Sequence, residues 1–462
     1  MSFQIVAVKK EIFRAYDIRG IVGEQIDENC FYTIGKAISY QLSQLNRKQI
    51  FLARDGRLSS KSLTAALRQG LLDSGIDVTD IGEAATPVMY YATFEHGIDS
   101  GLMVTGSHNP GNYNGIKMIL AGKTLVQSDI DKLYHIIQAG TFQQGQGQMN
   151  RLDILNDYMN RLVRDIKLER PLKVVIDCGN GIAGPVAPEI FRRLGCQVIP
   201  LFCEVDGRFP NHHPDPTVES NLIDLKAAVA EHQADIGLGF DGDADRLGVV
   251  TNTGKVIWPD RLMMFYALDI LKRNPGATIV YDVKCSSHLA AVIKNAGGQA
   301  SMCPTGHSIV KAVMKDLNAV LAGEMSGHLF FKDGWYGFDD AMYSACRLLE
   351  LISKSHQTVE QQFDAIPDSV NTPEIKITID ETRKFHFMQL FSELAQFDEA
   401  SIIRIDGLRV EFEQGWGLVR ASNTTPCLVA RFEASDQENL ADIQNRFKNQ
   451  LLKVDNTLDI PF

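Results

Sequence analysis

Long apolar runs are missing from this chain. No stretch of its 462 residues approaches the ~20 consecutive apolar residues of a membrane span, so none is expected. A basic surplus is missing too: 46 lysines and arginines face 57 aspartates and glutamates, a formal net charge of −11. Nucleic acid is therefore not an expected partner, because phosphate backbones demand basic surface. An anionic ligand would have to meet positive groups gathered locally. The opening MSFQIVAVKKEIFRAYDIRG has no basic start followed by a long apolar region, which argues against a secretory signal. The eight cysteines (Cys30, Cys178, Cys196, Cys203, Cys285, Cys303, Cys346, Cys427) contain no CxxC pair. In so long a chain this implies reduced, mostly buried thiols and a cytoplasmic setting rather than a disulfide framework.

What is present is the balance of a soluble globular protein, 45% hydrophobic and 22% charged, on a chain long enough for three or four domains. A threefold echo organises most of it. Three apolar strand candidates end in an aspartate: IFLARDGR (50–57), VVIDCGNG (174–181) and IVYDVKCS (279–286), with Asp55, Asp177 and Asp282 aligned. After each comes a helical stretch ending in glycine, a second strand, another helix and a third short strand. The spacing predicts one βαβαβ unit used three times, with mostly parallel sheets covered by crossover helices. From about residue 372 the pattern changes to alternating runs with a hairpin signal at Asp406-Gly407, a helix over 385–395 and a closing helix over 437–452. This predicts an α+β domain with an antiparallel sheet. The Gly/Gln-rich GTFQQGQGQMN (140–150) reads as a linker, giving domains 1–150, 151–255, 256–368 and 369–462.

In open α/β sheets ligands bind beyond the carboxyl ends of the strands. Here each third strand ends in a different polar loop, TGSHNP, DGDADR or GEMSGH, and all three could converge on one cleft. In DGDADR, Asp241, Asp243 and Asp245 alternate; on a flat strand they would stand ~6.6 Å apart. To hold one cation the loop must curl inward, as Gly242 and Ala244 permit. Arg246 at the sixth position excludes an EF-hand, and few protein ligands favour Mg²⁺, leaving room for a phosphate oxygen within reach of Arg246. RASNTTP (420–426) offers Arg420, Ser422, Asn423, Thr424 and Thr425 as an anion nest, and equally reads as a hairpin loop. Glu324, Ser326 and His328 in GEMSGH suit hydrogen bonds to sugar hydroxyls.

Several motifs imitate other functions. GNGIAG (179–184) fits GxGxxG between a strand and a helix, with acidic residues about twenty positions on, and keeps an NAD-dependent oxidoreductase as an alternative. GLGFDG (237–242) leads into aspartates that would repel a pyrophosphate, and AGKT (121–124) lacks the first glycine of a Walker loop. His212-His213 fits a turn better than a metal site. Ser107, in VTGSHNP, follows a buried strand in a Gly- and Pro-bounded turn that should present its hydroxyl outward. A hydrolase elbow would read GxSxG, but Thr105 and Asn109 flank it. Opposite a cation site and an anion nest, such a serine can carry a phosphoryl group. A Ser107 oxygen that is buried, or far from the three aspartates, would count against this.

TGSHNP, DGDADR, GEMSGH and RASNTTP in this order, with FRAYDIRG (13–20) and DVKCS (282–286), resemble the α-D-phosphohexomutases over essentially the whole chain, and most closely the bacterial phosphomannomutase/phosphoglucomutase branch. The resemblance implies four domains around a central cleft and a phosphoserine at Ser107. It implies net movement of phosphate between O6 and O1 of a hexose through a hexose 1,6-bisphosphate. It further implies that Asp241, Asp243 and Asp245, with the Ser107 phosphoryl group, hold Mg²⁺. Glu324 and Ser326 would read the sugar, and Arg420, Ser422, Asn423 and Thr425 would grip the non-transferring phosphate. Tyr16, Arg19, His108, Lys117, Arg246, Lys284, His307 and His328 would line the cleft. Arg19 and Lys117 are candidates for charge stabilisation and proton handling, the lysine if cationic neighbours lower its pKa. The expected partner is a small phosphosugar, with no nucleic acid or membrane, and a monomer suffices. Within the family a phosphoglucosamine mutase is the nearest alternative; Met325 favours the mannose/glucose branch, since the glucosamine branch carries glutamine there.

Overall fold

Ile50–Ala53 is a continuous apolar run, and in the computed structural model, which describes residues 3–423 and 425–462, it is buried at the centre of a sheet. Its strand, Gln49–Arg54, pairs in parallel with Asp77–Glu83 on one side and Gly101–Val104 on the other. The second unit repeats this with Lys173–Asp177 between Gln197–Leu201 and Ile236–Phe240. The third does so with Thr278–Asp282 between Gln299–Cys303 and Leu321–Gly323. Near-continuous apolar strands suit sheets covered on both faces.

Each unit also has a fourth strand that the threefold echo does not reveal. Tyr113–Leu120, Leu247–Thr251 and Leu329–Phe331 each return antiparallel to the third strand. The three polar loops are therefore connections between paired strands, pinned at both ends, and the sheets are mixed. In the first unit Ile18–Ile21 adds a further antiparallel strand, with Arg19 opposite Gly115.

The Gly/Gln-rich segment is more ordered than a free linker. Lys36, buried on the helix Glu28–Gln44, donates from Nζ to the carbonyls of Gln143 (2.8 Å) and Asp73 (3.0 Å). Met149–Arg151 then joins the edge of the first sheet, parallel to Asp77–Glu83. Composition shows the segment's polarity but not the buried ammonium that meets its carbonyls.

The C-terminal unit is a six-stranded sheet, antiparallel in every pairing, with helices Lys384–Leu394 and Gln437–Val454. Asp436 caps the second helix by accepting from Asn439 N. Its core, including Phe391, Phe432 and Phe447, is its own. One apolar cluster instead joins the first three units: Tyr91 of helix Thr86–Glu95 stacks on Trp335, and Tyr90 meets Phe338. Seven of the eight cysteines are buried. Among the described residues no helix is long and apolar enough to cross a membrane.

Helix Glu28–Gln44 crosses helix Ser60–Leu72 at Gly70, where a Cβ would lie 2.3 Å from the Tyr32 carbonyl oxygen. Gly70→Ala should lower stability by a net ~1–3 kcal/mol, because overpacking outweighs the helix-propensity gain. A thermal midpoint at or above wild type would show that the helices part freely.

Candidate active site

The loop after Gly101–Val104 is built from beneath by one carboxylate and one guanidinium. Asp55, ending the central strand, accepts from Thr105 Oγ1 (2.8 Å), Gly106 N (3.2 Å) and Arg57 N (3.1 Å). Arg57 donates to the carbonyls of Ser107 (2.6 Å), Asn109 (2.6 Å), Pro110 (2.5 Å) and Tyr113 (3.1 Å). Arg19 donates to the Gly106 carbonyl and to Asn109 Oδ1 (2.9 Å) and pairs with Asp17. Ser107 is held at φ +49°, a left-handed conformation that costs a non-glycine residue energy and re-aims its side chain.

Ser107 Oγ lies 3.3 Å from Asp241 Oδ2 and 3.3 Å from His108 Nδ1. The serine and the acidic loop thus meet across two units. Gly242 makes this possible: a Cβ there would sit 2.4 Å from the Ser107 carbonyl oxygen. The same approach corrects the expected outward hydroxyl, because Ser107 is only 2% exposed. Its oxygen stands beside Asp241 and His108, so the distance to the acidic trio is as expected, while the burial departs from expectation and counts against a freely presented hydroxyl.

Asp241, Asp243 and Asp245 are fully buried, and their carboxylate oxygens lie within 4.8 Å of one another. The loop curls as their spacing requires: Asp241 Oδ1 accepts from Asp245 N (3.0 Å) and Arg246 N (3.1 Å), and Ala244 takes φ +63°. Among the described residues Asp243 Oδ1 is buried with no hydrogen-bond partner, and Asp245 Oδ1 meets only the His328 ring nitrogen, at 3.2 Å. Such oxygens are costly unless a cation meets them, and the set fits a divalent metal.

Positive charge surrounds the trio. Lys117, on the returning strand of the first unit, donates to Asp243 Oδ2 (2.7 Å) and to Asp245. Burial works to lower its pKa, but Asp243, Asp245, Asp339 and Asp241 outweigh that and raise it. The expected lowering by cationic neighbours is thereby corrected: carboxylates surround this ammonium. Burial, then repulsion from Asp243 and Asp245, pushes Asp241 well up. Burial also raises Asp243 and Asp245, but Lys117 prevails and both end below the usual carboxylate range. Burial and the cations Arg246 and Arg19 drive His108 well down, leaving a neutral imidazole.

The third unit closes on the same point. His328 Nε2 lies 3.2 Å from Asp245 Oδ1, and its Nδ1 lies 3.2 Å from Glu324 Oε2 and 3.0 Å from Ser326 Oγ. Burial opposes its charge, but Asp245 and these partners raise its pKa to about 9. Arg246 forms a backbone bridge with His328, and its guanidinium reaches His328 Nε2 (3.4 Å) and Asp215 (4.0 Å). Glu324 Oε1 accepts from Gly306 N (2.6 Å). Tyr16 of the first unit meets the His307 ring edge-on at 5.2 Å. Lys284 pairs with Glu374 of the fourth unit (2.6 Å).

In the fourth unit Arg420 pairs with Asp406 (2.9 Å), which also accepts from Thr305 N (3.0 Å). Ser422 and Thr425 share a hydroxyl contact of 2.7 Å, and Asn423 is half-buried on that loop. Thr424 lies outside the described residues. Sequence reasoning missed Arg57, Thr86, which donates to Asp243 Oδ2 (2.5 Å), and Asp406 and Glu374. Asp55 and Arg57 stood in the strand-end motif, but nothing local showed that their partners lie fifty residues on.

The dinucleotide imitation resolves differently. In GNGIAG, Gly181 N closes its own turn on Cys178 O (2.7 Å), and Ile182 N donates to Gly242 O (3.1 Å), so one amide of the motif buttresses the acidic loop. His212 Nε2 donates to Asp177 Oδ2 (2.9 Å) in its turn and joins no metal cluster among the described residues. Two open cavities of about 670 and 890 Å³ lie on the first unit. The larger is lined by Gly97, Asp99 and Asp77 at strand starts, the end opposite the loops.

Family models described as phosphoglucomutase/phosphomannomutase, alpha/beta/alpha domains I, II and III, and C-terminal domain match residues 10–144, 156–254, 258–370 and 374–450. A phosphomannomutase/phosphoglucomutase of Pseudomonas putida is 51% identical over 99% of this chain and 98% of its own length. A phosphoglucomutase of Neisseria meningitidis is 49% identical over 96% of each chain. A crystal structure of a phosphoglucomutase/phosphomannomutase family protein from Burkholderia thailandensis, 45% identical, superposes with TM-score 0.94 over 98% of this chain and all of that one. The chain belongs to the phosphoglucomutase/phosphomannomutase family of phosphohexomutases, enzymes of the isomerase class.

Arg57→Lys keeps the charge but loses the planar fork that holds the serine loop. It should lower mutase kcat by about tenfold or more, since small misplacements of a reacting group are that costly. Wild-type kcat in steady-state assays would show that the loop holds itself.

Proposed function

We propose that the chain moves phosphate reversibly between O6 and O1 of a hexose phosphate, interconverting mannose 6-phosphate with mannose 1-phosphate and glucose 6-phosphate with glucose 1-phosphate. The observation that carries this is the 3.3 Å approach of Ser107 Oγ to the acidic loop of a separate unit. Ser107 is the carrier. A sugar hydroxyl attacks the phosphorus of phosphoserine, the bond to Ser107 Oγ breaks, the hydroxyl's proton ends on Ser107 Oγ, and a hexose 1,6-bisphosphate results. After this intermediate turns over in the cleft, Ser107 Oγ attacks the other phosphate and releases product.

Phosphoryl transfer is mostly positioning and charge neutralisation. Asp241, Asp243 and Asp245, with an oxygen of the Ser107 phosphate, would hold Mg²⁺, which supplies charge neutralisation when bound. Arg19 and Arg246 stand beside the serine loop and the acidic loop as further positive charge. Lys117, kept charged by its carboxylates, serves as an electrostatic clamp rather than a base. His108 Nδ1, 3.3 Å from Ser107 Oγ, orients that oxygen. Glu324, Ser326, His307 and His328 read the sugar hydroxyls. Arg420, Ser422, Asn423, Thr424 and Thr425 grip the phosphate that is not transferred, with Tyr16 and Lys284 beside them. Domain boundaries near 150, 255 and 368 and a cytoplasmic setting go with this reading. The relatives named for mannose and glucose, together with Met325, favour those sugars over the amino sugar.

Intact mass should show a fraction of chains ~80 Da heavy, mapping to Ser107. Ser107→Ala should remove that fraction and nearly all turnover while the fold persists; wild-type turnover would contradict the carrier role. Asp243→Asn should weaken Mg²⁺ dependence and transfer together. An unchanged Mg²⁺ titration would remove Asp243 from the metal set.

A further inference from the structure

The C-terminal unit is joined to the third chiefly through buried charge. Val283 packs on Trp416 and Leu418 in a small apolar contact of its own. Two guanidiniums lie over Trp416, Arg409 at 3.8 Å from the ring centroid and Arg431 at 5.7 Å. They are 0% and 1% exposed. Arg409 Nη1 donates to the carbonyls of Val283 and Cys285, 2.7 Å each, and Arg431 Nη1 to the carbonyl of Lys284 between them. Glu433 Oε1 continues the series, accepting from Ser286 Oγ (3.0 Å), Ser287 N (3.3 Å) and Ser287 Oγ (3.1 Å). Residues 283–287 follow a strand of the third unit, which keeps the amides of Val283, Cys285 and Ser286 through Cys303 O, Asp282 O and Asp260 Oδ2, while side chains of the fourth take the carbonyls of 283–285. Arg431 also pairs with Asp260 (3.2 Å).

Burying an arginine costs several kcal/mol before its partners repay it, so an apolar contact would join two domains more simply. What guanidiniums add is direction, because their donors lie in one rigid plane. Arg409, Leu418 and Arg431 stand opposite one another across three adjacent strands. Arg420 is two residues beyond Leu418 on the same strand and so shares its face. The row that grips the peptide of Lys284 is thus continuous with the strand that presents Arg420.

We propose that Arg409 and Arg431 are positioning residues: they tie the carbonyls of 283–285, whose amides stay with the third unit, to the C-terminal sheet, so that Lys284 keeps its place relative to Arg420. The inference rests on the reading above that Lys284 touches the substrate.

A double-mutant cycle tests it, with glucose 1-phosphate as substrate and thermal midpoints recorded for every variant. Arg431→Met should lower kcat/KM by about tenfold or more when Lys284 is present, and by less than about twofold in Lys284→Ala. Equal fold-losses in both backgrounds would overturn the positioning role while leaving Lys284 a substrate contact. Wild-type kcat/KM in Lys284→Ala would overturn the substrate contact, and the proposal with it. If Arg431→Met does not fold, Glu433→Gln, which keeps shape and loses charge on the same anchor, carries the same cycle and the same criteria.

Discussion

Three fully buried carboxylates on one short loop repel one another, and the site is arranged around that repulsion. A chain of net charge −11 has no general excess of cations to spend there. It draws Lys117 from the first unit, Arg246 from the loop itself and His328 from the third. These residues come from far apart in sequence, so neutralising one loop also closes three units on one another. The unpartnered Oδ1 of Asp243, beside Asp245, marks where the neutralisation by described residues stops and a metal ion fits.

The repeated unit explains how chemistry so different sits on similar scaffolding. In each unit a central strand ends in aspartate, and a third and a fourth strand pin a polar loop beside it. Asp55 accepts from the amide of Gly106, and Asp282 accepts from that of Met325, so both brace the loop of their own unit. Asp177 has another task, holding Gly179 N and the His212 ring. Its loop is braced instead by the amide of Ile182. With the backbone settled in this way, loop side chains are free to differ, and we propose for them a carrier serine, a metal set and a sugar-reading set.

Much of this was legible in sequence because it is local or periodic. Three apolar strands with aligned aspartates predict three parallel cores, and Asp406-Gly407 predicts a hairpin that the structure contains. The alternation of Asp241, Asp243 and Asp245 predicts a curled acidic loop. What was not legible depends on partners distant in the chain. The fourth strands follow polar loops rather than the repeating apolar pattern. The strap at 140–150 depends on Lys36, over a hundred residues earlier. The environment of Lys117 is set by aspartates more than 120 residues away, so its charge state could not be read from its own strand. The burial of Ser107 follows from Gly242, whose part is to let a second loop come close.

The central claim is that one serine carries phosphorus beside a metal held by three aspartates. It is tested most directly by phosphorus NMR of the phosphorylated protein titrated with Mn²⁺ in place of Mg²⁺. A phosphoserine resonance that broadens as the ion binds, and that is lost in Ser107→Ala, is the expected result. A resonance that stays sharp with the ion bound, or that persists without Ser107, would contradict the claim.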